Sequence, residues 1–438
     1  MKQIINKSGW VALLLMLFTT QSCKKDFQIV TGATSEQVFS TPKGTMGVAV
    51  GIQKAYSNGV IFGMCDANGL ITIETFLLNP GNLSEAQFSS GGPAVDNTNA
   101  LLGNLWTTAS KCIYDANNVI KAANGFADKG YASGLIGYAS IIKASAYGCL
   151  SEFWENVPDT IGIGLSGNNT VFVPRAQGFA KAIAAINNAQ AAIAANPISA
   201  TFLSDLPPGI DIVNGLNALK ARYYLFTGNY AAAMASANLV SLTTTNTYNY
   251  DAANANPIFF SVTSTNNIYQ PIDSTLGLPI GIRPIPLLDG RVPFYTVINT
   301  AAAPRFRLNG FWNAATKAIP LYVPDEMRLI IAECLLRQAA PDAATAQNII
   351  DGILKRAPAA DPYGIGANIP AGYTGASDVA SLLTEVYRNR CISLYHSGLK
   401  LEDMRRFGRP ISERKRNFFP YPLAERNNNP NVPADPAF

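Results

Sequence analysis

Acidic residues paired at short range are the first places to look for chemistry in this chain. Glu152 and Glu155 lie three apart at the end of a helical stretch, Asp325 adjoins Glu326, and Glu402 adjoins Asp403. A retaining glycosidase holds its two carboxyls roughly 5 Å apart and an inverting one roughly 6.5–9.5 Å. Residues three apart on a helix can meet. A structural role for each pair is nevertheless favoured. Glu152 and Glu155 flank apolar Phe153 and Trp154, which leaves the acids to face solvent or cap neighbours. Asp325 and Glu326 stand at a helix start, where acids complement the dipole. Asp403 beside Arg405 and Arg406 reads as an ion network internal to the fold. No acid–base pair stands out, so no catalytic residue is assigned and the chain is read as a binder, not an enzyme.

Nucleophile and metal chemistry find little support. His396 is the sole histidine, and no Cys-x-x-Cys occurs. Zinc and haem sites and His-paired nucleophiles need such groups. No complete calcium loop is present. No metal and no cofactor is expected. Beyond Cys23, the cysteines Cys65, Cys112, Cys149, Cys334 and Cys391 are odd in number, and four sit at apolar helical positions. They read as free, buried and hydrophobic.

Binding chemistry is better supplied. A sugar ring offers an apolar face to an aromatic side chain, and its hydroxyls seek Asn, Asp, Gln and Arg. Residues 246–312 hold both kinds: Tyr248, Tyr250, Phe259, Phe260, Tyr269, Phe294, Tyr295, Phe311 and Trp312, with Asn266, Asn267, Asp273 and Arg305. Residues 62–99 add Asp66, Asn68, Asn82 and Glu85 as a second wall. The candidate ligand set is Trp312, Phe311, Tyr269, Tyr295, Asn266, Asp273, Asp66 and Asn82. Trp312, flanked by Gly310 and Asn313, is the leading platform. Trp106 and Trp154 fall on helical apolar stripes and read as core.

Cys23 carries a different chemistry. Lys2 and Lys7 precede a short apolar run, Val11 to Phe18, and small residues then lead to Ser22-Cys23-Lys24-Lys25. That order describes a secretory signal, not a transmembrane helix. A cysteine at the cut site can be acylated, and two or more chains anchor a protein stably. Residues 1–22 are therefore expected to be a lipoprotein signal peptide, and residues 23–438 one domain tethered through Cys23. Net charge is only +4, with charged residues at 14%. No basic stripe follows a phosphate backbone, so nucleic acid is not an expected partner.

The elements that must position these residues are helices. Thr41-Pro42 predicts an N-cap and a helix running to Tyr56, closed by Asn58-Gly59. Apolar residues from Leu102 to Ala123, and again from Leu135 to Phe153, recur every three or four positions and predict two long antiparallel helices. Further helices are predicted over 174–195, 212–227, 230–242, 325–338, 341–356 and 378–397. The segment Asn217 to Ala233, with its Gly228-Asn229-Tyr230 turn and following alanines, resembles a tetratricopeptide unit. Residues 60–100 and 246–320 predict irregular loops. Residues 408–438, with Pro420-Tyr421-Pro422, predict an extended tail over the surface. The fold class is mainly α: tetratricopeptide-like hairpins form a scaffold (41–58, 101–245 and 321–407), and long irregular loops make the ligand face.

Together these pieces resemble the SusD/RagB family of nutrient-binding outer-membrane lipoproteins from Bacteroidota. The likeness begins at Cys23-Lys24-Lys25-Asp26-Phe27 and Phe39-Ser40-Thr41-Pro42. It continues through Leu105-Trp106, Tyr114-Asp115-Ala116-Asn117-Asn118, Phe153-Trp154-Glu155-Asn156-Val157-Pro158, Val173-Pro174-Arg175-Ala176 and Asp325 to Cys334. Its most specific part is Gly398 to Gly408 followed by Phe419-Pro420-Tyr421-Pro422, Glu425 and Asn429-Pro430-Asn431. Departures mark a divergent branch: Glu155-Asn156 replaces Gly-Asp, Asn389 and Ser393 replace glutamates, and Lys400 replaces arginine. The resemblance implies a surface-exposed protein that captures an oligosaccharide beside a SusC-like TonB-dependent transporter. Peptide uptake on the same fold, or an all-helical glycoside hydrolase, are the alternative readings.

Overall fold

In the computed structural model, two helices of 25 residues each, Ala100–Asn124 and Lys129–Phe153, form the central antiparallel pair. The structure describes residues 34–162, 170–262, 267–299 and 306–438. The signal segment, Cys23, Asn266 and Arg305 lie outside the described residues. Asn99 and Asp128 cap the two helices by accepting from Leu102 N and Tyr131 N, so each start is fixed by its own sequence. The apolar stripe predicted on the first is buried from Leu102 to Ala123. The second is buried on nearly every face, because helices pack on several sides of it. Close approach demands a missing side chain: a Cβ at Gly148 would collide with the Tyr223 hydroxyl.

Hairpins extend this pair. Arg175–Ala195 packs on Lys129–Phe153, Ile212–Phe226 pairs with Tyr230–Ala237, and Pro324–Arg337 pairs with Ala343–Lys355 and Val379–Ser393. The mainly helical, tetratricopeptide-like scaffold is thus present. The Tyr230 helix stops at Ala237, short of the predicted Leu242. Asn238 caps it, and the chain turns so that Ser241 N donates to Asn214 Oδ1 at 2.7 Å.

Two predictions fail. Residues 60–100 are not one irregular loop. The helix Pro42–Ala55 runs through a π-turn, Tyr56–Ile61, into Phe62–Ile71, and a further helix spans Leu83–Ser90. Gly59 reads as a breaker, yet it and Gly63 lie against the neighbouring helix: a Cβ there would press on Thr108 and Leu105 respectively. They are small for packing. The tail from Gly408 is not merely laid over the surface. Phe419 and Tyr421 are fully buried, Phe419 stacks on Phe153 at 5.3 Å, and Trp154 Nε1 donates to Pro420 O at 3.0 Å. The core needed these rings, and an alternation of Pro and aromatics hides such burial from helical periodicity.

Residues 246–320 do form mostly irregular structure, punctuated by short antiparallel ribbons. Thr75–Leu77 pairs with Tyr269–Pro271, with Thr75 opposite Pro271 and Leu77 opposite Tyr269. Thr296–Ile298 pairs with Phe306–Leu308, and Leu308 N donates to Gln270 Oε1, linking the two ribbons. Residues 39–438 make one compact unit. Within residues 1–38, the described residues contribute the start of the short helix Ser35–Phe39. Among the described residues no helix is long and apolar enough to cross a membrane.

Candidate ligand-binding face

Tyr295, Phe311 and Trp312 do come together, but inside the protein. Trp312 is only 3% exposed. Its ring stacks on Tyr295 at 5.9 Å and meets His396 edge-on at 5.0 Å. All three predicted aromatics line a cavity of about 80 Å³ with His396 and Arg222. That is less than the roughly 150 Å³ that admits a benzene and suits a few waters. Trp312 Nε1 and both His396 ring nitrogens lack protein partners, which is the kind of lining that holds buried water. Burial pushes the His396 pKa down to about 3, so its imidazole stays neutral.

The other predicted residues scatter. Tyr269 is fully buried in its ribbon, 5.6 Å from the His396 ring. Asp66 is also fully buried, and neither carboxylate oxygen has a partner. Burial first, and then the charge of Glu85, raise its pKa. Asn82 is half-buried at the start of Leu83–Ser90 and donates to Asn79 O at 3.2 Å. Asn267 accepts from Gln270 Nε2 at 3.0 Å.

Asp273, of the described residues in the predicted set, lines an open cleft. The cleft measures about 580 Å³ and lies where the Thr75–Leu77 ribbon ends, between residues 72–73 and 272–280. Asp273 Oδ1 accepts from Thr275 N at 2.7 Å. The walls carry backbone strain. Ile73 has φ of 61° and Leu276 has φ of 53°, a region costly for a β-branched or bulky residue. Buried Lys400 fastens the two walls, donating to Thr72 O at 3.0 Å and to Gly277 O. Ile280 stands fully exposed at the rim.

Exposed rings continue from this cleft along the ribbon. Phe76 sits mid-strand, 50% exposed, between buried Thr75 and half-buried Leu77. Beyond the ribbon, Leu78 N donates to Ile268 O and Ile268 N to Ser261 O, which carries the face to the helix Pro257–Val262. There Phe260 is 48% exposed and meets Phe259 at 5.3 Å. Phe76 and Phe260 thus stand on elements joined through residues 268–271, which lead into the cleft at Ile272. The sequence reading included Phe259 and Phe260 among its aromatics and missed Phe76. The signal for Phe76 was a three-residue alternation, too short to stand out.

The acid pairs stay out of this face. Glu152, expected to face outward, is 3% exposed, while Glu155 is exposed. The guanidiniums of Arg222, Arg175 and Arg405 act on Glu152 and make its burial tolerable, yet burial still pushes its pKa up to about 8. Glu402 pairs with Arg175 and with Arg405 at 2.7 Å. Glu326 accepts from Arg222 Nη2 at 2.7 Å, and Asp325 pairs with Arg356 and Arg328. All five described cysteines are free and buried. Among the described residues no three His, Cys, Asp or Glu side chains group closely enough to hold a metal ion.

No protein-family model matches this chain, and a search of curated proteins finds no match. Solved structures do match. A SusD superfamily protein from Bacteroides thetaiotaomicron is similar with a TM-score of 0.71 and 15% identity, over 90% of this chain and 100% of that one. A SusD-like carbohydrate-binding protein from Bacteroides fragilis is similar with a TM-score of 0.68 and 14% identity, over 90% and 100%. A laminarin-binding SusD-like protein is similar with a TM-score of 0.62 and 14% identity, over 91% and 99%. The chain therefore has the fold of the SusD superfamily.

Proposed function

We infer that this protein is a cell-surface glycan-binding lipoprotein of nutrient uptake, and a divergent SusD-like one. The observation that carries this reading is the exposure of Phe76 and Phe260 on elements hydrogen-bonded to residues 268–271, the segment that runs on into the Asp273 cleft. Half-exposed rings and a strained, polar-edged cleft suit a sugar chain: ring faces pack on apolar CH groups, and Asp273 and Thr275 line the cleft to meet hydroxyls. The fold it shares with carbohydrate-binding relatives supports the same substrate class.

Binding here needs no bond cleavage, and the two carboxylates that line the cleft are already engaged, Asp273 by Thr275 and Glu413 by Arg409. Cys23 would carry the acyl anchor, placing the domain at the outer membrane. A SusC-like TonB-dependent barrel would receive the glycan.

Calorimetric titration of the soluble chain, begun after Cys23, against a glycan panel that includes laminarin tests the reading. A saturable binder with no reducing sugar released is expected. Loss of the signal in Phe76→Ala and Phe260→Ala ties it to this face. Sugar release, or binding that ignores both substitutions, overturns the assignment. Labelling of cells with a palmitate analogue tests the anchor, with label expected on the parent and absent from Cys23→Ala.

A further inference from the structure

A second cleft, of about 440 Å³, lies away from the ribbons, where the end of Pro324–Arg337 meets Val379–Ser393 and the end of Lys400–Arg406. Arg337, Arg406 and Arg409 line it, and no carboxylate does. Aromatic surface completes the lining. Arg337 and Arg406 lie 4.9 and 5.3 Å from the Phe407 ring centre, and Arg409 lies 5.4 Å from that of buried Tyr387.

The acids that hold these arginines sit behind the lining. Glu333 accepts from Arg337 Nε at 2.8 Å and from Arg406 Nη1. Asp403 accepts from Arg406 Nη2 at 2.6 Å and from Arg390 Nε at 2.8 Å. Glu413 accepts from Arg409 Nε at 2.7 Å. Four guanidiniums are thus paired with three carboxylates. The three lining arginines match three carboxylates, and fully buried Arg390 brings the extra charge from behind the lining; Arg390 Nη1 and Nη2, Arg406 Nε and Glu333 Oε2 have no protein partner.

Three planar fork donors that line a cleft with no carboxylate among its walls suit an oxyanion. Phe407, Leu383 and Ala380 supply an apolar wall for whatever bears it. The volume lies within the range of small-molecule sites. We propose that this cleft binds an organic carboxylate, its acid group held by Arg337, Arg406 and Arg409 and its body packed on Phe407 and Leu383. The site is a different cleft from the glycan face, and the two are linked through Glu413, which lines the Asp273 cleft and holds Arg409.

The test uses two acids and their neutral counterparts: glucuronate against glucose, and benzoate against benzyl alcohol. Titrations are run at constant ionic strength set with sodium chloride. At least one acid is expected to bind saturably while its neutral counterpart does not. Arg409→Gln, which removes a partly exposed arginine, is expected to weaken that binding at least tenfold without shifting the melting temperature. Ala380→Trp, at an exposed helix position, fills the cleft without touching an arginine and is expected to abolish binding. Failure of both acids to bind above the chloride background, equal binding of acid and neutral compound, or unchanged affinity in both variants would falsify the proposal. The Phe76→Ala variant serves as the control, and its carboxylate affinity is expected to equal that of the parent.

Discussion

Lys400 donates its buried ammonium to the carbonyl oxygen of Thr72 at 3.0 Å. A second donation, to Gly277 O, ties a residue 123 positions away. One side chain therefore holds both walls of the Asp273 cleft, next to the strained Ile73 and Leu276.

Lys400→Met keeps the apolar stem and deletes the charge. Two buried carbonyls lose their donor, and the expected cost is about 3 kcal/mol. Urea denaturation measures it. Glycan affinity is expected to fall as well, since the walls are no longer fixed. A variant with parental stability would show that the carbonyls find other partners.

Trp312→Ala separates the core from the binding face. Trp312 is buried against Tyr295, Phe311 and His396, so truncation is expected to cost about 3–5 kcal/mol of stability. Wherever the variant is still folded, its glycan affinity is expected to stay near that of the parent. A large affinity loss at unchanged stability would return Trp312 to the ligand site.

Phe76→Ala and Phe260→Ala are expected to behave in the opposite way. Both rings are about half exposed, and surface substitutions usually shift stability by only about 0.5 kcal/mol. The expected loss of glycan affinity is about tenfold for each, equivalent to about 1.4 kcal/mol. Calorimetry and a denaturation curve on the same samples distinguish the two effects.

Glu152 gives stability a pH dependence of definite sign. Burial lifts its pKa from 4.5 to about 8, against the pull of Arg222. The folded state thus keeps a proton that the unfolded chain releases, and the benefit is complete below about pH 4.5 and lost as pH rises towards 8. Glu74, lifted to about 7, titrates in the same sense. Neutral Glu152→Gln is expected to match the parent near pH 4 and to exceed it near pH 8. His396, held at about 3, acts in the opposite sense below pH 6.5, but it is common to both proteins and cancels in the comparison. Denaturant midpoints at the two pH values decide the matter, and a variant weaker than the parent near pH 8 would contradict it.

The scaffold was legible because its signals are local and repeated. Caps at Thr41 and apolar stripes such as Leu102 to Ala123 set helix positions to within a few residues. Gly59 misled because a glycine that admits a neighbouring helix looks like one that breaks its own. The candidate site was harder to read. Whether Phe76 or Trp312 reaches solvent depends on which distant segments cover them, and neither carries that information in its neighbours. His396 covers Trp312 from 84 residues away along the chain. Asp273 reached a cleft for a different reason: the turn it makes with Thr275 keeps it at a ribbon end.

The insertion of Phe419 and Tyr421 beside Phe153 and Trp154 has a consequence for biogenesis. More than 260 residues separate Trp154 from the carbonyl of Pro420 that it meets. The hydrophobic interior cannot be sealed until that late stretch has emerged, so a partly synthesised chain stays loose and vulnerable to proteases. Truncation before Phe419 is expected to yield a protein that is degraded, with no stable shorter form accumulating.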